Sequence, residues 1–581
     1  MQGKIDFFGQ PPLDVGNPVD WHRDPQTGIR SPLVFGKDLD YRNDSLVGNV
    51  KFVWELGRHQ HLVPIAVAYA ATGDSRYRNA VAGQIEGWIR DNPYGLGVHW
   101  CSSLELALRL ISWSVVHSLI ALRDGPNGLF GAMASSEQLG LSIYRQARFI
   151  RNHLSLFSSA NNHLIGELTG LWTACRVFNL GAEGEHWGSQ AKAGLEREAC
   201  LQVHEDGVDK EQAFYYHLWV MEYLLFAWLV GERAGKPFSI GFRMRIEVMA
   251  QFLRDVAPAG GQPPQVGDSD DGFVTRFEPV WPQAPYGDVL TAVSATLDND
   301  SVDSGANFPQ KAFWYSMMLG KLPTEEKTKI KAQASYPRIY RNGGYAVLGA
   351  GPLHLVFDAG PLGYPSIAAH GHADALGFCL ALDGEWWLVD PGTYAYHSEH
   401  GWRDYFRGTA AHNTLEVDGA NQSEIGGPFL WVRHALGRLV DVGTDSEGVQ
   451  WATGVHNGYE RLGVSHTRRI ELSMQGDIIT VSDEVGGNGD HAMAIHFHFA
   501  PDIELTPGPQ PTCWQGVKSG SGRRVLLEVD EMWCWEVVRG SESPKLGWYS
   551  PALGVKVPVY TLRGTRRAQL PVQVVTRIVL Q

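Results

Sequence analysis

The stretch Lys321-Leu322-Pro323-Thr324-Glu325-Glu326-Lys327-Thr328-Lys329-Ile330-Lys331-Ala332-Gln333-Ala334-Ser335-Tyr336-Pro337 divides the chain into two textures. It is polar, carries Pro at each end and has no sustained apolar periodicity, as a connection between folded parts does. Upstream, from Val50 to about Leu319, apolar residues recur three and four apart, the spacing that gathers them on one face of a helix. The predicted helices are Phe52 to Ala71, Tyr77 to Arg90, Ser103 to Leu122, Ser136 to Leu154, His163 to Phe178, Trp187 to Val203, Glu211 to Ala234, Phe242 to Val256, Asp288 to Leu297 and Gln310 to Leu319. Their junctions carry Gly, Pro, Asp and Asn, as in Thr72-Gly73-Asp74 and Asp91-Asn92-Pro93, which predicts antiparallel helical hairpins packed side by side. Downstream, short runs alternate apolar and polar residues: Gly344 to Leu348, His354 to Phe357, Gly377 to Leu382, Trp386 to Val389, Arg468 to Leu472, Ile478 to Asp483, Ala494 to Phe499 and Arg524 to Val529. They are rich in Val, Ile, Tyr, Phe and Trp and are separated by Gly and Asp turns, which predicts an antiparallel β-sandwich. The expected domains are an irregular arm over 1–48, a helical domain over 49–330 and a β-sandwich over 331–581.

A chain of 581 residues exceeds one ordinary core, so two or three domains are expected. Aromatic residues make up 11% of it, with 20 Trp, enough for ring surfaces on which sugars stack as well as for core. The net charge of −14 and the lack of any long Lys/Arg run argue against nucleic acid as a partner. Six cysteines (Cys101, Cys175, Cys200, Cys379, Cys513, Cys534) show no CxxC spacing and read as free, largely buried thiols. No apolar h-region follows Met1 and no run long enough to cross a bilayer is expected, so the chain as written reads as cytoplasmic with no membrane partner, and as periplasmic or secreted if a leader has been trimmed. Oligomeric state is not legible.

Titratable side chains crowd between Tyr364 and Glu424. His370-Gly371-His372-Ala373-Asp374 is followed by Val389-Asp390-Pro391-Gly392-Thr393-Tyr394 and by Arg403-Asp404-Tyr405-Phe406-Arg407-Gly408-Thr409-Ala410-Ala411-His412-Asn413-Thr414. Such groups bind metal or move protons near neutral pH. His372, Asp390 and His412 have the mixed nitrogen and oxygen character that suits zinc, against a hydrogen-bonded core histidine for any one of them. Upstream, Asn161-Asn162-His163-Leu164-Ile165-Gly166-Glu167 opens a helix. One Asn serves as its cap, and Glu167, four residues from His163, could orient the imidazole. Glu211-Gln212-Ala213-Phe214-Tyr215-Tyr216-His217 offers a phenol for proton transfer, against ordinary core packing. In His99-Trp100-Cys101-Ser102-Ser103-Leu104-Glu105-Leu106-Ala107-Leu108-Arg109, an intrahelical ion pair of Glu105 and Arg109 is the plain reading. Gln265-Val266-Gly267-Asp268-Ser269-Asp270-Asp271-Gly272 is similar to a calcium loop but lacks the terminal bidentate Glu, so a capped turn is preferred and calcium is not favoured.

Together with Trp54-Glu55-Leu56-Gly57-Arg58-His59, these stretches resemble the heparinase II/III-like polysaccharide lyases, the heparinase III branch above all, over most of the chain. The resemblance implies a multidomain α+β fold in which an incomplete (α/α) toroid precedes an antiparallel β-sandwich, with an anionic, uronate-containing polysaccharide held in the cleft between them. It implies β-elimination at a 4-linked uronate: a base removes the C5 proton, an acid protonates the departing O4, and the carboxylate is neutralised. Carried over, Asn162 binds the carboxylate, Tyr216 donates the proton, and His163 and His370 are bases on opposite faces of the sugar. Tyr405 is a further catalytic phenol, with Tyr394 and Tyr396 as competitors. His372, Asp390 and His412 hold one structural zinc per chain. Arg58, His59, His99, Trp100, Glu211, Gln212, His217, Arg403 and Arg407 are candidate substrate contacts. Because Asn162, His163 and Tyr216 lie far upstream of His370, closure of the helical domain on the sandwich is part of the expectation.

Heparan sulfate or heparin is the first substrate expected, with hyaluronan, chondroitin, alginate or a bacterial exopolysaccharide behind it. Two other classes compete: a non-catalytic carbohydrate-binding or assembly protein on the same fold, and a hydrolase with Asp268, Asp270 and Asp271 as its carboxylates.

Overall fold

In the computed structural model, which describes residues 3–297, 309–321, 336–364, 366–397, 399–520 and 522–581, helices give way to strands just past the switch in texture. Most of the connection Lys321 to Pro337 lies outside the described residues. The expected helices are present, with ends shifted by a few residues. One differs in kind: the run Phe52 to Ala71 is two helices, Val50–Gly57 and Leu62–Thr72, interrupted where His59 takes a left-handed backbone of φ +60°. Helix Ser103–Asp124 is long and apolar enough to cross a membrane, contrary to the sequence expectation, but 83% of its most apolar window is buried in the protein, as in a core helix. The Glu105 and Arg109 expected to pair on it do not. Glu105 instead takes the guanidinium of Arg58, while Arg109 donates to the Gly57 carbonyl and the Gln146 side chain.

Two compact units divide the chain, and neither is continuous in sequence. The first comprises Met1–Leu201, Leu218–Glu247 and Asp271–Lys331; the second comprises Gln202–His217, Val248–Asp270 and Ala332–Gln581. In the first, helices Ser103–Asp124 and Asn162–Val177 form the core, their apolar residues almost wholly buried. The residues of the N-terminal arm are not loose: Phe7, Phe8 and Trp21 are buried in this unit.

In the second unit, an antiparallel five-stranded sheet runs in chain order from Arg338–Tyr340 through Tyr345–Ala350, Leu353–Asp358 and Phe378–Leu382 to Glu385–Leu388. An eight-stranded antiparallel sheet begins with Gly437–Thr444, Gln450–His456, Val464–Leu472 and Ile478–Gly487. The final strand, Val572–Leu580, is inserted next, followed by Arg524–Glu528, Cys513–Lys518 and Ile503–Pro507. A four-stranded sheet pairs Cys534–Arg539, Tyr560–Gln569, Asp490–His498 and Leu415–Val417. Burial alternates along Val464–Leu472 and Val572–Leu580, so one face of each packs into a common core with Phe357, Leu380, Phe497 and Leu527. Strand Gly437–Thr444 was not anticipated: it is an edge strand, mostly exposed, and its sequence lacks the apolar alternation that burial imposes. All six cysteines are free, four of them buried.

Candidate active site

Asp268 organises the site in the second unit. Its backbone N–H donates to the His370 carbonyl at 2.9 Å, fixing the turn beside the His-Gly-His segment. Its carboxylate accepts from His370 Nδ1 at 3.1 Å, from His372 Nε2 at 3.0 Å and from both terminal nitrogens of Arg403, one of them at 2.7 Å. Burial would push such a carboxyl up, but Arg403 and the two imidazoles outweigh it and hold Asp268 well below the ordinary carboxylate range. Gly371 separates the two histidines because any Cβ there would lie 1.5 Å from the Leu362 carbonyl oxygen.

The bond to Asp268 places the proton of a neutral His370 on Nδ1, since a carboxylate can only accept, and leaves Nε2 with its lone pair. Glu211 lies 3.7 Å from that Nε2. The imidazole is stacked on Tyr216, ring centroids 3.6 Å apart and planes 14° from parallel. The Tyr216 hydroxyl lies 3.1 Å from that of Tyr396, which donates to the Ser269 carbonyl at 2.8 Å. Burial first, then the charges of Asp270 and Asp268, raise Tyr216 well above the usual phenol range, so it stays protonated. Tyr216 precedes the Leu218–Glu247 segment and belongs to the same compact unit as His370. Bringing Tyr216 and His370 together therefore needs no closure between domains, a correction to the sequence expectation.

His372, Asp390 and His412 bring one ligand atom each to within 4.8 Å of one another, all buried. His372 spends Nε2 on Asp268, and His412 spends Nδ1 on Asp390 at 2.9 Å. What remains on each ring, His372 Nδ1 and His412 Nε2, is buried without a hydrogen-bond partner. Two imidazoles, one held by Asp268 and the other by Asp390, each with an unshared lone pair, stand with the Asp390 carboxylate as a donor set that fits a metal ion. Burial lowers His372, which keeps it in the neutral form a metal needs; His412 loses by burial but gains more from Asp390 and is raised.

In the first unit, Asn161 caps helix Asn162–Val177 by accepting from the His163 N–H at 3.1 Å, and Asn162 is buried in the first turn with His163 half-buried next to it. Glu167 does not orient His163. Its two oxygens accept from the Ser155 N–H and hydroxyl at 2.6 and 2.7 Å.

Several expected substrate contacts are instead internal braces. Arg58 is forked onto Glu105 and also donates to Glu55; His59 accepts from Trp113 Nε1; His99 bonds the Trp21 carbonyl; Trp100 packs against Tyr94 and Phe149. His217 accepts from Asp209 N–H and donates to the Met249 carbonyl, its pKa lowered to about 3 by burial. Gln212 donates to the Gly343 carbonyl. Arg403 is committed to Asp268, and Arg407 to Asp404 and the carbonyls of Gly427 and Pro428. Tyr405 is buried with its hydroxyl accepting from the Trp548 N–H at 3.3 Å, whereas it is the hydroxyl of its competitor Tyr396 that meets that of Tyr216. The calcium and paired-carboxylate readings of Asp268-Ser269-Asp270-Asp271 both fail at Asp268, whose carboxylate is already taken by a guanidinium and two imidazoles. Sequence reasoning missed the role of Asp268 as the anchor of His370, His372 and Arg403, and it left Tyr396 as a competitor of Tyr405.

The family profile described as Heparinase II/III N-terminus matches residues 4–275, and that described as Heparinase II/III-like, C-terminal matches residues 333–577. A heparin-sulfate lyase of Pedobacter heparinus is 24% identical over 405 residues, 67% of this chain and 55% of that protein; one of Bacteroides thetaiotaomicron is 23% identical over 454 residues, 76% and 60% respectively. The chain thus spans between half and two thirds of the length of these relatives. A solved heparinase III superposes with a TM-score of 0.72 at 16% identity, covering 98% of this chain and 80% of that one. A heparan sulfate lyase structure from Pedobacter heparinus gives 0.64 at 17%, covering 100% and 81%. The expected fold class, a helical toroid followed by an antiparallel β-sandwich, is borne out by this likeness, and with both profiles matched the chain belongs to the heparinase II/III-like family.

Proposed function

We propose that the protein is a polysaccharide lyase that cleaves a 4-linked, uronate-containing glycosaminoglycan by β-elimination, with heparan sulfate as its first candidate substrate. The observation that carries this reading is the stack of Tyr216 on His370, a protonated phenol against an imidazole anchored by Asp268. β-Elimination needs that pair of functions. His370 Nε2 takes the C5 proton, electrons flow into the uronate carboxylate as an enolate, the C4–O4 bond breaks, and the Tyr216 hydroxyl supplies the proton to O4, leaving a C4=C5 double bond. Asp268 stabilises the imidazolium formed on His370 and keeps its ring in register. By the family resemblance Asn162 is assigned to the uronate carboxylate, as a donor in the first turn of a helix whose N-terminal dipole favours negative charge, and His163 to proton transfer as a further base. The resident metal is proposed to be zinc in a structural role, on the chemistry of its donors, one carboxylate and two imidazoles; when bound it would pin the segments carrying His372, Asp390 and His412 behind His370. A purely carbohydrate-binding role would leave the anchored imidazole and neutral phenol without a task.

The test is incubation with heparan sulfate, heparin, hyaluronan, chondroitin and alginate while following the ultraviolet absorbance of an unsaturated uronyl product. Heparan sulfate is expected to give that absorbance. New reducing ends without it would mean hydrolysis, and no new ends from any of the five would end the lyase reading.

A further inference from the structure

We propose that Lys545 and Lys556, held over a cluster of aromatic rings, form a second anion-binding subsite for an acidic polysaccharide chain, outside the reaction centre. Lys556 Nζ lies 4.3 Å from the Tyr394 ring centroid and 4.5 Å from that of Trp402, with Trp548 at 5.8 Å. Lys545 Nζ lies 5.2 Å from the same Trp402 ring. Both ammonium groups are thus within about 10 Å of each other. All five side chains are half-buried, neither sealed in the core nor waving in solvent.

Charge distinguishes this cluster from ordinary surface lysines. Neither ammonium has a hydrogen-bond or ion-pair partner among the described residues, although Glu542 is the cross-strand neighbour of Lys545 and the exposed Glu399 accepts the Tyr394 hydroxyl at 2.7 Å. The acidic side chains of this chain outnumber its Lys and Arg by 14, so two cations left without a carboxylate in one place are conspicuous. Ring faces attract the ammonium groups while leaving their charge uncancelled, and they restrict the long side chains in advance. An anion that arrives pays less of the usual ordering cost of lysine. Carboxylate and sulfate share the chemistry that satisfies such a pair, and the apolar rims of Trp402 and Trp548 suit the C–H face of a pyranose.

The cluster is borne on the segments that build the reaction centre. Trp402 immediately precedes Arg403, which grips Asp268, and Tyr394 lies two residues before Tyr396, the partner of Tyr216. A polymer engaged at the centre has further anionic sugars to place, and this pair would take them. The subsite goes beyond the lyase reading because it is a binding claim, tested without turnover.

The experiment uses the full chain carrying Tyr216→Phe, so that turnover is slow on the time scale of the titration, with and without Lys545→Gln and Lys556→Gln together. Long heparan sulfate is titrated against tryptophan fluorescence, with hyaluronan as a carboxylate-only arm and dextran as a neutral control. The glutamine pair is expected to weaken heparan sulfate binding about tenfold, the loss of two charge-assisted contacts, with an unchanged thermal midpoint, and Lys545→Arg with Lys556→Arg to keep it. Parallel weakening of hyaluronan would assign the subsite to carboxylates; weakening confined to heparan sulfate would assign it to sulfates. Equal affinity of the lysine and glutamine proteins, or equal response to dextran, would overturn the proposal. If binding behaves as expected while the unsubstituted protein makes no unsaturated product, the lyase reading falls and the subsite stands.

Discussion

Asp268 shows at the scale of one residue why half of the site was hidden in the sequence. Its partners His370, His372 and Arg403 lie more than a hundred positions away, while its neighbours Ser269, Asp270 and Asp271 give the local run the look of a cation loop or a capped turn. His370, His372, Asp390 and His412 could be singled out because clustered imidazoles have few structural uses; the acid that aims two of them could not. The phenols were harder still. Tyr394, Tyr396 and Tyr405 are equivalent in composition, and only the fold decides that Tyr396 meets Tyr216 while Tyr405 caps a backbone N–H of Trp548. That difference is testable. Tyr216→Phe removes the proposed acid and should cut the rate of product formation roughly a hundredfold to ten-thousandfold with the fold intact, whereas Tyr405→Phe should stay within about twofold of the parent. Comparable losses in both variants, or a fully active Tyr216→Phe protein, would break the assignment.

At the scale of elements, the helices were legible wherever their apolar stripe met the core, and the failures came where a buried polar residue interrupted one. Arg58 and His59 sit in the middle of an apolar run and read as helix interior. Burying Arg58 against Glu55 and Glu105, and His59 against Trp113, requires the chain to turn out of the helix there. Helix Asn162–Val177 has its own buried acid. Glu167 is pushed up to about 7, by burial first, against the pull of its bonds to Ser155. A folded pKa above the unfolded value of about 4.3 means the folded state holds the proton more tightly. Below about pH 4 both states are protonated and the group is neutral in its effect. Between there and pH 7 its ionisation progressively destabilises the fold, by a total on the order of 3 kcal/mol that persists at higher pH. Glu167→Gln keeps an acceptor for the Ser155 N–H and carries no charge. Its urea midpoint should therefore fall less steeply than that of the parent from pH 5 to pH 7.5, ending above it. Asp209 and Asp358, both raised to about 7, act in both proteins alike and cancel from the difference. Parallel midpoint curves would show that Glu167 is ionised throughout.

At the scale of the whole molecule, texture along the chain located the change from helix to strand but not the units that pack. The second unit recruits Gln202–His217 and Val248–Asp270 from the helical stretch, and these segments deliver Tyr216, Glu211 and Asp268 to a site whose other members come from beyond residue 332. No periodicity announces this, because helices Phe214–Arg233 and Ile240–Val256 each continue smoothly from one unit into the other. A fragment of residues 332–581 therefore keeps His372, Asp390 and His412 but loses the carboxylate that fixes the tautomer of His372 and neutralises Arg403. The fragment also loses Phe214 and Phe252, whose rings pack on Tyr345 and Tyr340, so apolar surface buried in the intact unit is left in water. The full chain should contain zinc near one per molecule by elemental analysis, and dialysis against a chelator should remove the metal and lower the thermal midpoint. The fragment should bind little zinc and show no cooperative unfolding. A different metal, or none, in the full chain would overturn the assignment of zinc; a fragment that folds cooperatively and holds the ion would show that Asp268 is dispensable to the architecture around it.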